Sequence, residues 1–149
     1  MLTMLAGTAL STLMGVAASV APGATQAPGV AALAGPYLGR YVATLSAVQA
    51  ETAGDPRMAG RFTLVLRRNG TYTASNPLDP PTHGRLAVLP GRRLRFYADS
   101  GCEFGGFERP RGGVYRWSLD GRRLTFRLVS EGPCTGRTQT LTYPVWTRR

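Results

Sequence analysis

The sequence predicts an all-β domain, an eight-stranded antiparallel up-and-down barrel, preceded by an apolar export segment. Three observations carry that expectation. Apolar residues recur at period two from Gly35 onward, glycine turns separate neighbouring runs, and short and long connections alternate strictly. A two-sheet β-sandwich is the alternative for the same strand count, although sandwiches usually carry longer Greek-key connections.

No Asp, Glu, Lys or Arg precedes Arg40, and Leu2, Leu5, Leu10, Leu13, Met14 and Val16 make the first twenty residues strongly apolar. That run reads as the hydrophobic region of a secretory signal, followed by a Pro/Gly/Ala/Thr stretch. Ala32-Leu33-Ala34 offers a cleavage site before Gly35. An uncleaved anchor is the alternative, because about 18–20 apolar residues span a bilayer. The chain of 149 residues thus divides into residues 1–34, signal or anchor plus linker, and residues 35–149, the barrel domain. Either way the domain is expected outside the cytoplasm, secreted or tethered to the outer face of the membrane.

The clearest strands are 61–67, 93–98, 114–119 and 123–128. Phe62, Leu64 and Leu66 share one face of the first, Leu94 and Phe96 one face of the second. Tyr115, Trp117 and Leu119 line the third, and Leu124, Phe126 and Leu128 the fourth. Weaker alternation marks 40–46, 71–75, 84–89 and 139–145, the last through Leu141, Tyr143 and Val145. Each pattern is one buried and one wet face of a strand. No convincing amphipathic helix follows the leader.

Asn69-Gly70, Pro90-Gly91 and Asp120-Gly121 read as tight hairpin turns. The remaining connections, 47–60, 76–83, 99–113 and 130–137, are long. In a meander every long loop then falls at one end and every tight turn at the other. Closure of the sheet removes its two edges. Cys102 and Cys134 both sit in long loops at one end, and outside the cytosol such a pair suggests a disulfide. Closing a loop of about thirty residues stabilises a fold by roughly 3–4 kcal/mol in the chain-entropy model.

All 18 basic residues are arginine and the formal net charge is +10, a balance that favours anionic partners. Arg68, Arg92, Arg93, Arg122 and Arg123 flank the tight turns, and Arg148 and Arg149 end the last strand. An even strand number brings both termini to that same end, giving it an arginine-rich face. Such a face suits anionic lipid or wall polymer. Nucleic acid is disfavoured, since it calls for exposed stacking aromatics and nearly all aromatics here fall on the expected inner face.

Gly39-Arg40-Tyr41 on the first strand, with tyrosine where the motif has tryptophan, resembles the Gly-x-Trp of lipocalins. The run from Gly113 to Gly121 (GVYRWSLDG), followed by Leu124-Thr125-Phe126, resembles the final hairpin of small bacterial extracytoplasmic lipocalin-like, calycin-type proteins. Cys134, Arg137 and Trp146 fit the same pattern. The resemblance covers about residues 35–149 and implies a small apolar ligand at the long-loop end. Phe96, Tyr115, Trp117 and Phe126 are the expected lining.

Chemistry has thinner support. His83 is the one histidine, in a Pro-Pro-Thr-His-Gly segment read as loop, without an evident nucleophile and orienting partner. One histidine and a paired cysteine cannot supply a zinc site, so neither metal nor cofactor is expected. Asp99, Glu103 and Glu108 cluster in the 99–113 loop and read as solvated carboxylates. The resulting expectation is a secreted binding module and not an enzyme. An envelope-interaction domain working through the arginine-rich end is the alternative.

Overall fold

The structure, a computed structural model, describes residues 32–100, 112–132 and 134–149. Eight strands, β1 (Gly39–Leu45), β2 (Gly60–Leu66), β3 (Thr71–Ser75), β4 (Thr82–Leu89), β5 (Arg93–Tyr97), β6 (Gly113–Asp120), β7 (Arg123–Ser130) and β8 (Trp146–Arg148), close in sequence order. Every neighbouring pair is antiparallel, including β1 with β8, so the barrel is complete and the sandwich alternative falls.

Period-two patterning places the core as physics requires. Tyr41, Phe62, Leu64, Leu94, Phe96, Tyr115, Leu124 and Trp146 are fully buried, each contributing about 1.5–3 kcal/mol of apolar burial. Three residues on expected inner faces lie partly outside: Val88 and Leu128 are each 47% exposed, and Val145 is 43% exposed. Tight connections join β2 to β3, β4 to β5 and β6 to β7 at one end. The third turn is Gly121-Arg122, one residue later than expected, with Asp120 still paired to Arg123. Gly121 supplies the left-handed backbone there (φ 54).

The last strand departs most from expectation. Residues 139–145 are not a strand. Helix α2 (Thr135–Thr142) occupies most of that stretch and β8 follows it with only three residues. Helix α1 (Ala47–Thr52) was likewise unexpected. Ser46 and Gln49 form a reciprocal capping box at its start, with Ser46 Oγ accepting from the Gln49 amide and Gln49 Oε1 from the Ser46 amide. His83 belongs to β4, exposed on the outer wall, and not to a loop.

The tight-turn end is sealed by the segment before β1. Tyr37 is buried against Trp117 with ring centroids 5.2 Å apart, and Leu33 packs on the core and donates to the Arg68 carbonyl at 2.6 Å. The long-loop end carries α1 and α2. That end holds the candidate site.

Candidate functional site

Five elements deliver polar side chains into the long-loop end of a barrel otherwise filled with apolar ones. Tyr72 comes from β3, Tyr115 from β6 and Glu131 from just beyond β7, while α2 supplies Arg137, Thr138 and Thr140. Asp99 arrives by a backbone irregularity. It follows Ala98, which sits in the left-handed region at φ 52. Strand alternation from the inward Phe96 would turn residue 99 outward. The unusual Ala98 conformation breaks the alternation, and Asp99 ends 1% exposed. Its reading as a solvated loop carboxylate is therefore corrected; Glu103 and Glu108 lie outside the described residues.

Arg137, 6% exposed, binds both buried carboxylates. One terminal nitrogen meets Asp99 Oδ2, the other meets Glu131 Oε1, and Nε donates to Glu131 Oε2 at 3.2 Å. Such a two-pronged fork is the strongest arrangement open to an arginine–carboxylate pair. Glu131 also accepts from the Tyr115 hydroxyl, from Thr138 Oγ1 at 3.1 Å and from the Gly132 amide at 2.9 Å. Burial would lower the Arg137 pKa, but the bonds to Glu131 and the charges of both carboxylates more than offset it, and it stands raised. Burial pushes Asp99 up, against the pull of the facing Tyr72 hydroxyl and of Arg137. Tyr72 and Tyr115 are held far above the ordinary phenol range, chiefly by burial, so both stay hydrogen-bond donors at any physiological pH.

Two strand glycines make room for the carboxylates. A Cβ on Gly84 would collide with Asp99 Oδ1 and stand 2.6 Å from the Tyr72 ring. One on Gly113 would collide with Glu131 and stand 2.7 Å from the Tyr115 ring. Glycine inside a strand usually marks a close approach of this kind.

Above this cluster lies a cavity of about 480 Å³. Ala74 and Leu141 give it apolar surface, Pro80 and Pro81 form one side, and Tyr72 and Arg137 contribute polar ones. Asn76 braces its rim: Nδ2 donates to Thr140 Oγ1 at 2.9 Å and to Asp79 Oδ2 at 3.0 Å, while Oδ1 accepts two loop amides. The buried Tyr72 hydroxyl faces the Asp99 carboxylate beneath it. Cys134 borders the cavity just ahead of α2; Cys102, its expected partner, lies outside the described residues.

Of the four residues expected to line a ligand, Phe96, Tyr115 and Phe126 come together. They pack edge to face, with centroids 5.6 Å and 5.7 Å from Phe96, as the filled barrel interior beneath the cavity. Trp117 lies at the opposite end, against Tyr37 and under Arg92. The arginines expected at the tight-turn end are there, but several are tied to the protein. Arg92 lies over the Trp117 ring, Arg93 Nε donates to the Pro90 carbonyl at 2.7 Å, and Arg122 donates to the Arg148 carbonyl. Arg148 lies over the Tyr41 ring and donates to the carbonyls of Pro36 and Leu38. Arg68 and Arg123 are exposed without a side-chain partner among the described residues.

Sequence reasoning reached Arg137 only through a family likeness and missed Glu131 altogether. The unexplained glycines at 84 and 113 were the available signal. Compared with family models, with curated proteins and with solved structures, the chain matches none.

Proposed function

We propose that this barrel is an extracytoplasmic, lipocalin-like binding module that takes one small molecule into the cavity at its long-loop end. The observation that carries the reading is a cavity of about 480 Å³ pairing apolar walls with two placed polar groups, Tyr72 and Arg137. Ligand sites typically combine a mostly apolar lining with a few placed polar groups. The ligand that fits is small and largely apolar, with one polar group to meet the Tyr72 hydroxyl. It sits above the Phe96–Tyr115–Phe126 cluster and not among those rings. A disulfide from Cys134 to Cys102 would pin the cavity rim to the loop after β5. Binding is favoured over catalysis because Asp99 and Glu131 are engaged by Arg137 instead of facing the cavity as free acids or bases.

Native mass spectrometry of the full chain, secreted without reductant, tests this reading. A discrete extra mass that leaves on denaturation, or uptake from a panel of fatty acids, sterols and aromatic ketones, is expected. Leu141→Trp, which fills the cavity, should abolish it, whereas Tyr72→Phe should weaken it about tenfold, the worth of one hydrogen bond. A bare mass with no uptake by the native chain would sink the proposal.

A further inference from the structure

We propose that the outer wall across β4–β7 is a second binding surface, for a linear phosphate polymer. The register places Arg93 opposite Arg116 and Arg116 opposite Arg127, so three like charges stand side by side on adjacent strands. Neighbouring strands lie about 4.7–4.9 Å apart. Arg95 stands two residues beyond Arg93 on the same face, and Arg85 sits diagonally beside Arg95, since its own partner is Tyr97. Like charges placed directly opposite destabilise a sheet. Among the described residues no carboxylate pairs with them. Arg85, Arg95, Arg116 and Arg127 are exposed and make no side-chain hydrogen bond or ion pair among the described residues. The one carboxylate on these four strands is Asp120, at the far end of β6 opposite Arg123. The band runs on into an open groove lined by Arg67, His83 and Arg85.

This is a different surface from the tight-turn end, where Arg92, Arg122 and Arg148 are occupied by contacts within the protein. Its shape selects the partner. Eight strands closing a full circle turn the wall by about 45° per strand, so β4 to β7 fan through about 135°. A flat bilayer meets only one or two strands of such a curve, whereas a flexible chain can follow it. Guanidinium groups match phosphate in charge and fork geometry. Among the described residues the wall offers only a half-buried Tyr97 and the His83 imidazole as rings, few for a nucleic acid held by stacking.

Long-chain inorganic polyphosphate is the probe, titrated into the full chain over a range of salt. The triple variant Arg95→Gln/Arg116→Gln/Arg127→Gln should weaken binding at least tenfold and reduce the salt slope by about two. A control with the same charge loss at the other surface, Arg68→Gln/Arg123→Gln/Arg149→Gln, should weaken it less than about threefold. Arg116→Glu alone, at the centre of the row, should cost about tenfold in binding while the melting temperature holds or rises, because two like-charge oppositions become attractive. Equal losses in both triple variants would mean attraction by net charge alone and would overturn the proposal. So would native-chain affinity for phosphatidylglycerol vesicles, or for oligothymidylate of matched charge, exceeding that for polyphosphate.

Discussion

Truncating Arg137 strips two buried carboxylates of their shared counter-charge, and breaking a buried pair by removing one partner typically costs about 3–5 kcal/mol. Arg137→Leu should therefore lose about that much unfolding free energy in a urea titration. Replacing all three charges by apolar residues should recover most of it. Asp99 gives a separate test. Its pKa is raised in the fold by burial, and such a group stabilises most below its unfolded value and loses that contribution as pH rises through the folded one. The stability of the native chain relative to Asp99→Asn should therefore fall as pH rises from about 4, the ordinary aspartate range, toward neutrality. A difference that stays flat across that window would show that Asp99 titrates alike folded and unfolded. At this scale the sequence was least informative. Nothing in the residues around Asp99 announces that Ala98 will turn left-handed, and an arginine three residues past a cysteine looks like any solvated one. Burial here depends on partners brought from β7 and α2.

Elements divide into those whose pattern is local and those set by the ends they join. The first seven strands follow period-two alternation to within a residue or two, since each presents one face to the same core. Helix α2 escaped because Thr135–Thr142 is four threonines and a glycine among eight residues, poor helix formers all. Its buried face, Arg137, Thr140 and Leu141, does have helical spacing, but two of the three are polar and the ion pairs that bury one of them are tertiary. Leu141, Tyr143 and Val145 meanwhile mimic a strand. Helix α1 was legible in its Ser46…Gln49 capping box, a signal passed over because the surrounding residues carry little amphipathic pattern. Gly84 ties element to site. Gly84→Ala puts a methyl into the space of the Asp99 carboxylate and the Tyr72 ring, an overpacking that typically costs about 1–3 kcal/mol. Its denaturation midpoint should drop accordingly, and ligand uptake should drop with it, because Tyr72 must move.

The whole molecule has two unlike ends, one closed by Tyr37 and one capped by helices around a cavity. Tyr37→Ala should cost about 3–5 kcal/mol, the usual range for emptying a buried aromatic site. Ligand affinity measured on the fraction that remains folded should not change, because the lesion lies at the far end. Barrel closure and the segregation of long loops were readable from the alternation of connections alone. The seam was not: β8 meets β1 through Tyr41↔Arg148 and Val42↔Thr147, and β7 through Arg123↔Thr147 and Leu124↔Trp146. Three residues at the very end of the order thus convert a sheet with two free edges into a surface with none. During folding, a chain that has placed β1 to β7 but not residues 146–148 still offers both edges to any neighbouring strand. Folding of this barrel is in that sense a race between its own last strand and a neighbouring chain. A stall just short of Trp146 is where it would be lost.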